Sequence, residues 1–107
     1  MAAKLVALEP SSWRVEGSID YYSVLDLRNE GERQMAEGEG PFRFDFEGVD
    51  QVNTAGLALL LCWRRWAAAH RVSLALVNLP AELRSIARIS DLEELLDNGT
   101  AATESAG

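Results

Sequence analysis

The alternation of apolar and polar positions divides the chain into short segments. Lys4 to Leu8 and Ser12 to Val15 read as two short strands, separated by Pro10 and two serines in a hairpin-like break. Gly17 closes the second. From Ser18 the pattern changes to a charged, roughly helical stretch carrying Tyr21, Leu25, Leu27, Arg28 and Met35, with Ser18 or Asp20 as its cap. The run Glu37-Gly38-Glu39-Gly40-Pro41 stops that helix.

Phe42-Arg43-Phe44-Asp45-Phe46 alternates strictly and predicts a strand ending at Gly48. A helix from Thr54 to His70 follows. Val72 to Val77 is nearly continuous in apolar residues, which predicts a strand buried on both faces in the middle of a sheet. Pro80 opens a helix running to Ile89. Ser90 or Asp91 caps a last short helix ending near Leu96, and 98–107 reads as a flexible, frayed tail. This order predicts an α/β fold, a mixed sheet with helices packed against it, in one domain over 1–97.

The helix after Thr54 carries two apolar stripes. Leu59, Leu60, Trp63, Trp66 and Ala67 recur at helical spacing and suit packing on the sheet. Thr54, Leu57, Ala58 and Leu61 form a second stripe leading on to Arg64 and Arg65, two adjacent arginines that mark a solvent-facing side. Leu57 and Leu61 then lie near the surface, and an apolar patch with an arginine rim is what a protein-docking surface looks like. The alternative is that neighbouring loops cover those leucines. Trp63 and Trp66 suit either core or contact, so a homodimer is compatible with the pattern.

Composition narrows the function. The 107 residues carry 48% apolar content and a formal net charge of −7, a globular composition whose charge argues against binding nucleic acid or an anionic membrane. Cys62 is the single cysteine, so an intramolecular disulfide and a Cys-rich metal site are excluded. The apolar stretch near the start is too short for a signal peptide, and the run Leu57 to Trp63 is too short to cross a bilayer. The expected compartment is the cytosol, with no direct membrane insertion.

Little points to an enzyme. His70, the only histidine, falls at a helix end where a cation complements the dipole, and Cys62 has no neighbouring histidine to activate it. Asp45, Glu47 and Asp50 around Gly48 fail the calcium-loop spacing. No Gly-rich phosphate loop with a lysine is present. No catalytic residue, metal or cofactor is expected.

One segment stands apart: Val49 to Leu61, where a strand ends, a polar loop turns, and Asn53-Thr54 open an apolar helix. Free backbone N–H groups and the positive dipole end converge there, a place suited to a phosphoryl group on the hydroxyl or to a partner's carboxylate. The plainer alternative makes Asn53 or Thr54 simply an N-cap.

Phe44 to Leu61, with Asp45 closing a strand and Asn53-Thr54-Ala55-Gly56-Leu57 opening a helix, resembles the signature of the STAS domain family. Val72 to Asn78, then Leu79-Pro80 and the helix with Leu83, Ile86 and Ala87, resembles that family's next strand and helix. The resemblance implies a central mixed sheet of about four to five strands with about four helices. In one branch, the anti-sigma-factor antagonists, the hydroxyl residue is phosphorylated by a partner kinase, which would make Thr54 a phosphorylation site. In the MlaB branch the domain is a cytosolic accessory subunit of a phospholipid ABC transporter and binds its ATPase subunit, peripheral to the inner membrane, in a complex with a membrane permease that maintains outer-membrane lipid asymmetry. Threonine at position 54 and the Gly-Leu-Ala-Leu-Leu-Leu run after it are more similar to the MlaB branch. The resemblance implies partner binding through Asn53, Thr54, Leu57, Ala58, Leu61, Arg64 and Arg65. Asn53 departs from the aspartate usual before the hydroxyl, which removes a negative charge and favours a constitutive subunit over a phospho-switch.

Overall fold

A computed structural model of the chain describes residues 2–89. The elements run β1 (Lys4–Glu9), β2 (Ser12–Ile19), α1 (Val24–Glu37), β3 (Phe42–Val52), α2 (Thr54–Ala69), β4 (Leu74–Val77) and α3 (Ala81–Ile89). The expected helix beyond Ser90 and the tail at 98–107 lie outside the described residues.

The sheet order is β1-β2-β3-β4, with β1 antiparallel to β2 and the remaining pairs parallel. Alternation along β2 and β3 turns Trp13, Val15, Ile19, Phe42, Phe44 and Phe46 into the core and leaves Arg14, Glu16, Arg43 and Glu47 on the opposite, more open face. All three helices of the described residues contribute to the core: Leu27 and Met35 from α1, Leu59, Leu60 and Trp63 from α2, Leu83 and Ala87 from α3. The result is a two-layer α/β domain.

An aromatic column ties the layers together. Trp13 stacks on Phe44 with ring centroids 5.2 Å apart, and Phe44 stacks on Trp63 at 4.2 Å. Trp63 is fully buried, and its indole Nε1–H donates to the carbonyl of Arg28 in α1 at 3.2 Å. Directly beneath, Gly31 lets the two helices close up, because a Cβ there would overlap the Trp63 indole.

Two glycines expected to end strands instead sit inside them. β2 continues through Gly17, whose φ of 102° and the Ala2 carbonyl 2.7 Å from an added Cβ both require glycine. β3 continues through Gly48, where a Cβ would approach Glu16 Cγ to 2.9 Å. The β2–β3 register shifts beside both positions, so these glycines accommodate irregular pairing rather than termination. With β2 extended to Ile19, α1 starts at Val24, and neither Ser18 nor Asp20 occupies its N-cap.

The final strand departs from the expected position. β4 is an edge among the described strands, not a central one. Leu74 and Leu76 face the core while Ala75 and Val77 are half-buried, and Arg64 of α2 donates through Nη1 to the Leu74 carbonyl at 3.2 Å. An apolar strand is tolerated at an edge when a neighbouring side chain engages its backbone.

Candidate functional site

β2 and β3 run parallel with Ile19 opposite Val52, so the chain leaves both strands at the same end of the sheet. After Val52, Asn53 is extended (φ −122°, ψ −165°) and its Oδ1 accepts from Ala55 N at 2.8 Å, capping α2. The cap is therefore Asn53. Thr54, the first helical residue, is exposed and its hydroxyl is not used for capping. Two residues on, Gly56 packs so closely under β3 that a Cβ would overlap the Val52 side chain, which explains glycine in the signature.

After Ile19, Asp20 makes a tight turn in which its Oδ1 accepts from Tyr22 N at 2.9 Å, Ser23 N at 3.0 Å and Ser23 Oγ at 3.2 Å. The Ser23 backbone bond, with that of Tyr22, outweighs desolvation and holds the Asp20 carboxyl below its ordinary pKa. This turn thrusts Tyr21 and Tyr22 into solvent. The Tyr21 hydroxyl meets the Thr54 Oγ1 at 2.7 Å, joining the two corners across 33 residues of sequence.

A family model described as the MlaB-type STAS domain matches residues 7–97. The chain belongs to the STAS domain family. Among solved structures, the fold is similar to that of the anti-sigma factor antagonist SpoIIAA in its unphosphorylated form, with a TM-score of 0.66 and 20% identity over 86% of this chain and 83% of that one. That likeness is one of fold. No curated protein sequence matches significantly.

Within this STAS domain, the residues expected at a docking face divide into two groups. Thr54, Ala58 and Arg65 are exposed on α2, and Asn53 and Leu61 are half-buried. Leu57 is only 6% exposed and packs in the core, contrary to its expected surface position. It lies on the side of α2 that faces the rest of the core, and the sequence stripes do not show which side that is. Arg64 is also turned inward onto β4, and burial lowers its guanidinium pKa to about 10. It stays protonated at neutral pH, but only Arg65 of the pair fully faces solvent.

Asp45, the family's strand aspartate, is a structural ligand. Its Oδ1 accepts from Asn78 Nδ2 at 3.0 Å and from Glu47 N at 2.9 Å, bridging β3 to the residue after β4. Asn78 reaches it from the left-handed region (φ 56°), which asparagine tolerates well. Burial pushes the Asp45 carboxyl up, but the Asn78 and Glu47 hydrogen bonds and the Arg43 and Arg14 charges prevail and hold it low. Among the described residues no group of three or more His, Cys, Asp or Glu is arranged to hold a metal. His70 ends α2 with its ring Nδ1 on the Trp66 carbonyl at 2.8 Å and its face stacked on Trp66. Cys62 is half-buried. No helix among the described residues is long and apolar enough to cross a membrane.

Sequence reasoning missed the Tyr21 partner of Thr54. The signal was the pair Tyr21-Tyr22 directly after a turn-forming Asp20, read as part of a helix. Its pairing with Thr54 depends on the parallel register of β2 and β3, which local pattern does not encode.

Proposed function

We propose that this STAS domain is a non-catalytic, cytosolic accessory subunit of an MlaB-type phospholipid-transport ABC complex, docking on its ATPase subunit and supporting assembly and activity. One observation carries the reading: Asn53 caps α2, so the exposed Thr54 hydroxyl is left for a surface role beside Tyr21. Ala58, Leu61 and Arg65 extend that surface along α2. The MlaB description of the matching family model points the same way. In this role the domain is held at the inner membrane through its partner complex and contributes to outer-membrane lipid asymmetry.

A second reading, an anti-sigma-factor antagonist phosphorylated on Thr54, rests on the same exposed hydroxyl at a helix start, where a phosphate is well placed. Asn53 before it, rather than a carboxylate, favours the first reading.

The test is affinity capture from native-cell lysate with the tagged wild-type chain and Thr54→Ala. Recovery of an ABC ATPase with its permease, diminished by the substitution, supports the transporter subunit. Recovery of a kinase-like anti-sigma factor, with a mass shift of phosphate on Thr54, replaces it with the signalling reading.

A further inference from the structure

Three of the five exposed large apolar side chains among the described residues follow one another closely in the chain at the Asp20 corner beside Thr54, the others being Leu8 and Ile89. Tyr21 is 68% exposed, Tyr22 94% and Leu25 56%, and Tyr21 is hydrogen-bonded to Thr54 itself. Single exposed apolar residues are ordinary, but a cluster continuous with the hydroxyl proposed to dock is not. The cluster is also held in place before any partner arrives. The Asp20 turn fixes the tyrosine backbone and the Thr54 contact fixes the Tyr21 ring, so Tyr21 has little side-chain freedom left to lose on binding.

Charge sets the chemistry of what fits. Tyr22 forms one wall of an open cleft of about 430 Å³ that Asp20, Asp26, Ser18 and Gln51 also line. Asp20 commits Oδ1 to its own turn, whereas Asp26 has no hydrogen-bond or ion-pair partner among the described residues. Val15 to Leu27 and Phe44 to Trp63, which build most of this corner, contain acids but no lysine or arginine; Ala2 and Ala3 complete the cleft wall, and the positive amino terminus helps hold Asp20 ionised. An anionic lipid surface or a nucleic acid is repelled by such a corner.

We propose that Tyr21, Tyr22 and Leu25, with the Asp20–Asp26 cleft, are the second half of the docking surface. The occupant is a partner protein that presents an apolar socket to the tyrosines and an arginine or lysine to the cleft. This rests on the docking reading of Thr54 and adds residues and a partner chemistry to it. Tyrosine is favoured in such interfaces because it supplies large area with few rotatable bonds, and the acids supply orientation and rate.

The experiment uses the full chain and the partner it captures, with affinity measured for wild type, Tyr22→Ser, Asp26→Asn and Thr54→Ala between about 0.05 and 0.5 M salt. Tyr22→Ser is expected to weaken binding roughly tenfold or more. Asp26→Asn is expected to lower affinity several-fold at low salt and to flatten the salt dependence. Both positions are exposed, and circular dichroism checks that the variants fold. If Thr54→Ala weakens binding while Tyr22→Ser and Asp26→Asn leave it unchanged, this proposal is overturned and the docking reading stands. If the wild-type chain binds no protein at all, the docking reading fails and this inference falls with it.

Discussion

The hydroxyls of Tyr21 and Thr54 lie 2.7 Å apart although 33 residues separate them in the chain. Their meeting follows from the pairing of Ile19 with Val52, the last residues of two parallel strands that both turn into helices on the same side of the sheet. One corner supplies an exposed aromatic pair and the other an exposed helix-start hydroxyl. Neither corner alone offers more than a turn.

Removing either hydroxyl should leave the fold almost untouched. Tyr21→Phe and Thr54→Ala each lose one exposed hydrogen bond, expected to cost less than about 1 kcal/mol in urea denaturation. Asn53→Ala removes the true cap and should cost about 1 kcal/mol. A Thr54→Ala cost larger than that of Asn53→Ala would show that Thr54 does the capping.

Gly31→Ala should destabilise the domain even though alanine is the better helix former. Its Cβ would overlap the Trp63 indole, and forcing α1 away from α2 costs about 1–3 kcal/mol, against a propensity gain of about 1 kcal/mol. Thermal unfolding checks the sign. A stabilised variant would mean that the two helices are not in such close contact.

Trp63→Phe should cost about 2 kcal/mol or more by combining a cavity under the Phe44 stack with loss of the indole hydrogen bond to the Arg28 carbonyl. Urea denaturation gives the value, and a cost under about 0.5 kcal/mol would argue that the column is loosely packed.

Asp45 makes stability acid-sensitive. Its pKa is lowered in the folded state, so its contribution is present above the unfolded aspartate value of about 3.9 and is lost as pH falls through the lower folded value. Asn78→Ala removes a hydrogen bond to the ionised form and should raise the Asp45 pKa, which carboxyl-detected NMR titration reads directly. The stability lost between about pH 5 and pH 2 should shrink accordingly. An unchanged Asp45 titration would show that Glu47 N and the arginine charges suffice without Asn78.

Period and punctuation in the sequence determined the element types. The strict alternation at Phe42 to Phe46 and the helical spacing of Leu59, Leu60, Trp63 and Ala67 each reflect burial of one face, a property local enough to read directly. The Asn53-Thr54-Ala55-Gly56-Leu57 run likewise located the start of α2 and the hydroxyl at it. Tertiary structure decided the rest. Gly17 and Gly48 look like strand ends in sequence and are close approaches within continuing strands, Gly17 to the Ala2 backbone and Gly48 to β2. Leu57 and Arg64 look like surface residues because a helix stripe has no absolute direction until the sheet and α3 are in place, and both turn inward. β4 looks central from its composition, but strand order is a global property, and it sits at an edge with Arg64 on its backbone. Tyr21 joins Thr54 only because two parallel strands end in register, and register is fixed by the shared core rather than by any segment of the chain.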